Sequence, residues 1–275
     1  MHTVGIDVGS TYTKAVLMNG EGEILAQCIR NTGFKLTQIA RECFETCLET
    51  ANIKASSCDY VIATGMGRHQ CDFKDLAVTE LTAGARGAKF FFPETGTVLD
   101  IGGQTMKASR IESSGKVGAF RMNDKCAAGT GAFLEKTARY MGYSTQEIGP
   151  LMETSRESVP ISGVCAVFAE SEVINHLSLG TPPGDIMQGA VESLTTRSVQ
   201  LMKRIKGQPE FTLIGGLLRF KSIATTVESV LGTHVNVPPD GHCQFACAIG
   251  AAQLAQVRLK KQACSGGQDP PVVLR

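Results

Sequence analysis

Two short runs hold the residues best suited to chemistry on a phosphate. In the first, Asp7-Val8-Gly9-Ser10-Thr11-Tyr12-Thr13-Lys14, an apolar stretch stops at a carboxylate and a glycine turn follows. Glycine there lets backbone N–H groups approach phosphate oxygens. Hydroxyls of Ser10, Thr11 and Thr13 add donors, Lys14 adds a point charge, and Asp7 can hold a hydrated Mg2+. The second run, Asp100-Ile101-Gly102-Gly103-Gln104-Thr105-Met106-Lys107, repeats that order and offers an amide, Gln104, able to orient an attacking water. At one constant offset Asp7 pairs with Asp100, Gly9 with Gly102, Lys14 with Lys107 and Ala15 with Ala108. A single Asp-x-Gly turn is common in hairpins. Two copies, each followed by Lys, point to a polyphosphate clamped from both sides with Mg2+ bridging. No Gly-x-x-x-x-Gly-Lys-Ser/Thr run is present, which argues against a P-loop enzyme.

Two cysteines stand apart from the other eight. Cys126, in Asn123-Asp124-Lys125-Cys126-Ala127-Ala128-Gly129-Thr130-Gly131, follows candidate Asn and Asp caps, and Cys165 opens the helical run Ala166-Val167-Phe168-Ala169-Glu170. A helix N-terminus stabilises negative charge and lowers a thiol pKa, which suits thiolates holding an anionic iron–sulfur cluster. Such a cluster usually takes four thiolates. A two-fold axis relating two chains would supply the second pair. Both cysteines also fit as small buried hydrophobes, and the local sequence leaves the two readings open. Cys43 with Cys47, and Cys243 with Cys247, fall four apart and read as core filling.

These runs need elements to hold them. Each of the two phosphate runs is a strand, a glycine turn and a second strand, over residues 13–18 and 105–111. Short apolar strands near 60–64 and 211–214 stop on Gly65 and Gly67 and on Gly215 and Gly216, as parallel strands do before a nucleotide. Helical patterns cover 36–51, 131–141, 166–179, 186–206, 220–231 and 250–261. The duplication predicts a first lobe over 1–95, to which the helix at about 250–261 returns, a second over 96–249, and a disordered tail over 265–275. With 275 residues, 43% hydrophobic and 19% charged, two modest globular lobes are expected. A net charge of +1 gives no field to steer nucleic acid or acidic lipid. The first residues enter a strand pattern with no signal segment, and no apolar stretch is long enough to span a bilayer. A cytoplasmic chain with reduced or metal-bound thiols is expected.

The two runs and the later glycine pair resemble the phosphate-1, phosphate-2 and adenosine segments of the acetate and sugar kinase/Hsp70/actin superfamily. That resemblance implies an α/β chain with two RNase-H-like lobes closing on ATP. Ser10, Thr11, Tyr12, Thr13, Lys14, Gly102, Gly103 and Gln104 would meet the phosphates, with Gly215 and Gly216 against the adenosine and Gln244 nearby. Residues 4 to about 256 further resemble the activator (ATP-dependent reductase) component of 2-hydroxyacyl-CoA dehydratases, a family that includes the ATPase subunits of benzoyl-CoA reductase. Asp-Val-Gly-Ser-Thr at 7–11, Ala-Thr-Gly at 63–65, Asp-Ile-Gly-Gly-Gln at 100–104, Met-Asn-Asp-Lys-Cys-Ala-Ala-Gly-Thr-Gly at 122–131 and Val-Phe-Ala-Glu-Ser-Glu at 167–172 carry the likeness.

The second resemblance implies that Cys126 and Cys165 of each chain ligate one [4Fe–4S] cluster shared across a homodimer. It also implies ATP/ADP with Mg2+ in the cleft, a ferredoxin or flavodoxin donor, and a dehydratase or reductase partner acting on CoA esters. Asp7, Asp100 and Gln104 are the expected catalytic residues. Gly129, Thr130 and Gly131, just after Cys126, are expected to sense the phosphates. Three positions depart from the family pattern: Thr105 where an acidic residue is usual, Leu217-Leu218-Arg219-Phe220 after the glycine pair, and Ala132 where arginine is frequent. The alternatives are a sugar or carboxylate kinase using Asp100 or Asp7 as base, and a nucleotide-switched binding protein without redox chemistry.

Overall fold

The computed structural model describes residues 1–123, 130–162 and 166–264. The apolar run ending near Asp7 forms β1 (His2–Val8), buried along almost its whole length, as a strand covered on both faces must be. It pairs antiparallel with β2 (Tyr12–Asn19), which pairs antiparallel with β3 (Ile24–Asn31). On its other side β1 pairs parallel with β4 (Tyr60–Thr64), and β4 with β5 (Leu76–Ala77). The crossover from β3 to β4 is α1 (Leu36–Thr50), whose buried Ala40, Cys43, Cys47 and Leu48 share one face at helical spacing. After β5 comes α2 (Glu80–Phe91).

The chain then repeats this plan. β6 (Thr97–Ile101) pairs antiparallel with β7 (Met106–Ile111), and β7 with β8 (Val117–Asn123). β9 (Phe211–Ile214) pairs parallel with β6, and β10 (Val235–Asn236) with β9. Both sheets therefore have one order, β3-β2-β1-β4-β5 and β8-β7-β6-β9-β10, with the same directions throughout. This is the duplication expected from the offset between Asp7 and Asp100, on the α/β, RNase-H-like plan that the resemblance implies. The second crossover is longer. It runs through α3 (Gly131–Tyr140), α4 (Ile148–Glu153), α5 (Ala166–Ser178) and α6 (Pro183–Arg204), and α7 (Lys221–Leu231) joins β9 to β10. The final element is α8 (Ala246–Cys264).

The chain divides into two compact units, Met1–Gly87 with the residues from Cys247 onward, and Ala88–Ala246. Each has its own core. Val4, Ile6, Leu17, Cys43, Cys47 and Ala63 belong to the first, and Leu99, Ile101, Phe133, Ile186, Leu194 and Leu213 to the second. Within the first unit α8 packs on bare backbone: a Cβ on Gly5 would overlap the Ala248 carbonyl oxygen, and one on Gly250 would overlap that of Ala83.

α6 begins at Pro183, ahead of the expected 186, because proline suits a first helical turn. α2 and α4 were not expected. Gly84 and Gly87 lower the helix propensity of α2, yet a Cβ on Gly250 would lie 2.6 Å from the Gly87 amide, so this contact requires small residues. α3 begins at Gly131, where the helical pattern places it, with Thr130 as N-cap. Asn123 ends β8, and the expected Asp cap and Cys126 lie outside the described residues. Residues 265–275, expected to be a disordered tail, lie outside the described residues. Among the described residues no helix is long and apolar enough to cross a membrane.

Candidate nucleotide site

In the first unit, antiparallel pairing sets Asp7 opposite Lys14 and parallel pairing sets Thr64 beside it. Lys14 Nζ lies 3.0 Å from Asp7 Oδ2, with both side chains largely buried. Asp7 Oδ1 is buried and has no hydrogen-bond partner among the described residues. A buried carboxylate oxygen left without a partner costs about 1–3 kcal/mol or more, and a cation or its bound water meets that need. The Gly9 amide donates to the Tyr12 carbonyl at 3.2 Å and closes the turn. The amides of Ser10 and Thr11 then have no protein acceptor among the described residues, which suits phosphate oxygens.

Gly65, just after β4, has φ +90°, and a Cβ there would lie 2.6 Å from Asp7 Oδ1 and against the Val8 carbonyl oxygen. Only glycine holds this conformation without strain. Gly65→Ala should therefore destabilise the protein by about 2 kcal/mol or more, read from the urea unfolding midpoint. It should also weaken Mg-ATP binding, because it pushes on the carboxylate itself.

The second unit repeats the geometry with other side chains. Asp100 stands opposite Lys107 and beside Ile214. Lys107 Nζ lies 3.5 Å from Asp100 Oδ2 and donates to Thr105 Oγ1 at 2.8 Å, so the threonine hydroxyl occupies the place where the family resemblance has a carboxylate. The Gly102 amide closes its turn on the Thr105 carbonyl at 2.9 Å, and the amides of Gly103 and Gln104 have no protein acceptor among the described residues. The Gln104 side chain is exposed. Gly215, with φ +107°, stands to Asp100 as Gly65 stands to Asp7: a Cβ would lie 2.9 Å from Asp100 Oδ1. Its amide donates to the Cys243 carbonyl at 2.8 Å, which brings the 242–244 turn and Gln244 alongside Gly215 and Gly216.

The start of α3 is tied to this second loop. Gly131 N–H donates to the Gly102 carbonyl at 3.0 Å and Ala132 N–H to the Gly103 carbonyl at 2.7 Å. A Cβ on Gly131 would sit 3.1 Å from that Gly102 oxygen. The Gly131 amide, expected to sense the phosphates, is thus engaged by the loop.

Asp7, Ser10, Thr11, Tyr12, Thr13 and Lys14 gather at the C-terminal end of β1, and Asp100, Gly102, Gly103, Gln104, Thr130, Gly131, Gly215, Gly216 and Gln244 gather at the equivalent end of β6. Gly129, Cys126 and Cys165 lie outside the described residues. Thr32, which sequence reasoning passed over, donates its amide to the Thr11 carbonyl at 2.9 Å. Its only signal is a hydroxyl between a strand end and a glycine.

The helices following the two cysteines pack on each other. Glu170 of α5 takes Lys136 Nζ of α3 at 2.7 and 2.8 Å and accepts from the Tyr140 hydroxyl at 3.2 Å. Ser162 N–H, ahead of Cys165, donates to the Glu172 carboxylate of α5. The cysteines read as core filling are that: burial pushes the Cys47 thiol up to about 12 and the Cys243 thiol up to about 11, so neither is a thiolate at neutral pH. Among the described residues no three His, Cys, Asp or Glu side chains are grouped to hold a metal ion.

The model of the BadF/BadG/BcrA/BcrD ATPase family matches residues 4–255. The chain belongs to this family. Among its relatives in the BadF/BadG/BcrA/BcrD group, the activator of lactoyl-CoA dehydratase of Anaerotignum propionicum is 36% identical over 262 residues, spanning 95% of this chain and 100% of the relative. A subunit of the benzoyl-CoA reductase of Thauera aromatica is 36% identical over 276 residues, 97% of each chain. The solved activator of the 2-hydroxyisocaproyl-CoA dehydratase from Clostridium difficile, with bound ADPNP, superimposes with a TM-score of 0.90 at 34% identity, covering 98% of this chain and 99% of that one. The two RNase-H-like sheets and paired Asp-Gly turns described above are thus those of an ATPase family.

Proposed function

We propose that this chain is a cytoplasmic, homodimeric ATPase that couples ATP hydrolysis to one-electron delivery onto a partner enzyme acting on CoA esters, a 2-hydroxyacyl-CoA dehydratase or a related reductase. The observation that carries the coupling is the pair of hydrogen bonds from Gly131 and Ala132 to the carbonyls of Gly102 and Gly103. They join a phosphate-binding turn to the helix that follows Cys126. The names of the relatives support the CoA-ester partner.

In this reading the turn after Asp7 takes phosphate oxygens through the amides of Ser10 and Thr11 and through Lys14, with Asp7 holding Mg2+ and its waters, and the turn after Asp100 does so through the amides of Gly103 and Gln104, with Asp100 in the corresponding role. Gly215, Gly216 and Gln244 bound the nucleoside. The Gln104 amide side chain orients the attacking water. As the γ-phosphate engages Gly103 and Gln104, their loop pulls on the first turn of α3, and the Lys136–Glu170 pair passes that displacement to α5. Cys126 and Cys165 would supply two thiolates per chain, and two chains would complete the ligand set of a [4Fe–4S] cluster. Held by these thiolates, such a cluster would provide a one-electron carrier, with a ferredoxin or flavodoxin as the donor. Hydrolysis and phosphate loss relax the loop and reset the helices. Neither nucleic acid nor a membrane is required.

Anaerobic purification tests this reading. A brown protein with about four iron atoms per dimer is expected. A colourless protein that releases ADP only when a sugar or carboxylate hydroxyl is supplied would replace it with a small-molecule kinase.

A further inference from the structure

Thr32, the residue after β3, is 1% exposed and is held by three residues of the first phosphate turn. Its amide donates to the Thr11 carbonyl at 2.9 Å, its hydroxyl donates to the Gly9 carbonyl at 2.8 Å, and Thr13 Oγ1 lies 3.0 Å from its Oγ1. We propose that Thr32 is a positioning residue that aims the Ser10 amide at the phosphates. The inference rests on the ATP-binding reading above.

The argument is one of proton counting and peptide geometry. A threonine hydroxyl has one proton. Thr32 gives its proton to the Gly9 carbonyl, so Thr13 must donate into Thr32 Oγ1. Thr13 is fully buried, and its only proton is directed inward, leaving none for a phosphate. The threonine expected from sequence to add a phosphate donor is instead the outer member of an internal relay, Thr13 to Thr32 to Gly9.

The peptide joining Gly9 to Ser10 is planar and trans, so its carbonyl and its N–H point to opposite sides. Fixing the Gly9 carbonyl on Thr32 turns the Ser10 N–H away from the protein, where no described protein group accepts it. Without the hydroxyl the peptide plane can rotate, and a carbonyl oxygen turned toward the phosphates would repel them. Such preorganisation lowers the free energy of binding without adding any contact to the ligand.

The test compares Thr32→Val, which keeps shape and amide but removes the hydroxyl, with Thr32→Ser, which keeps the hydroxyl. Titration of ADPNP in the presence of Mg2+ is followed calorimetrically, alongside the KM for ATP and kcat. Thr32→Val should bind ADPNP at least about tenfold more weakly and raise KM in parallel, the scale set by leaving a carbonyl unpaired. Its kcat should change by less than about threefold, because the hydroxyl acts equally on ground and transition states. Thr32→Ser should restore affinity to within about threefold of wild type. If the valine variant does not fold, Thr32→Ala removes the same hydroxyl and gives the same comparison. Unchanged ADPNP affinity in a folded hydroxyl-free variant overturns the inference, as does weakening shared by the serine variant. Failure of the wild-type protein to bind ADPNP would instead overturn the ATP-binding reading itself.

Discussion

Cys126→Ser and Cys165→Ser should each yield, under anaerobic purification, a protein lacking the broad iron–sulfur absorption, whereas Cys43→Ser and Cys243→Ser should keep it. In the proposed arrangement each chain contributes two ligands, so one substitution removes two of the four thiolates in the dimer, and serine is a poor replacement for a thiolate. Electron delivery to the partner should fall to background. The control cysteines differ in physical character: Cys43 lies in the first unit's core with its Sγ 3.7 Å from the Thr13 carbonyl, and Cys243 is buried in the second. Burial pushes both thiols up, away from the thiolate form a cluster needs. Serine at either control position should lower the melting temperature and leave the iron content alone. Iron and acid-labile sulfide per dimer, with the visible spectrum, are the readouts. A full cluster in the Cys126 variant would sink the shared-ligand arrangement. Removal of iron should also shift the wild-type protein toward monomer on gel filtration.

Gln104→Ala should slow ATP hydrolysis by roughly 10²-fold or more while leaving ATP affinity within a few fold. The substitution keeps the backbone N–H proposed to meet the phosphates and removes only the exposed side-chain amide, proposed to orient the attacking water. Partner reduction measured over many turnovers should fall in step with hydrolysis, because reset depends on loss of the γ-phosphate. A variant blocked in hydrolysis that still reduced its partner at the wild-type rate would show that nucleotide acts only as a docking ligand.

The parts of this protein legible in its sequence are those whose chemistry is local. A carboxylate, a glycine turn and a lysine lie within one hairpin, so the pairings of Asp7 with Lys14 and of Asp100 with Lys107 follow from strand register alone. The strands β1 and β6 are buried on both faces and stand out as apolar runs. β8 escapes notice because most of it is exposed or half-exposed and its alternation is weak. Thr32 could not be found because its role depends on where β3 ends in space, beside the β1–β2 turn. The onset of α3 at Gly131 follows the helical pattern, but that this first residue must be small to lie on Gly102 is a long-range demand that local sequence does not reveal.

The discontinuity of the first unit has a consequence for biosynthesis. During translation β1 emerges early, but α8, which lies on the backbone of Gly5 and Ala83, follows only after all of Ala88–Ala246 has been made. The second unit can reach its native contacts while the first still exposes one face of its central strand. The hydroxyl-bearing turn after Asp7 is therefore the later of the two turns to gain its complete scaffold.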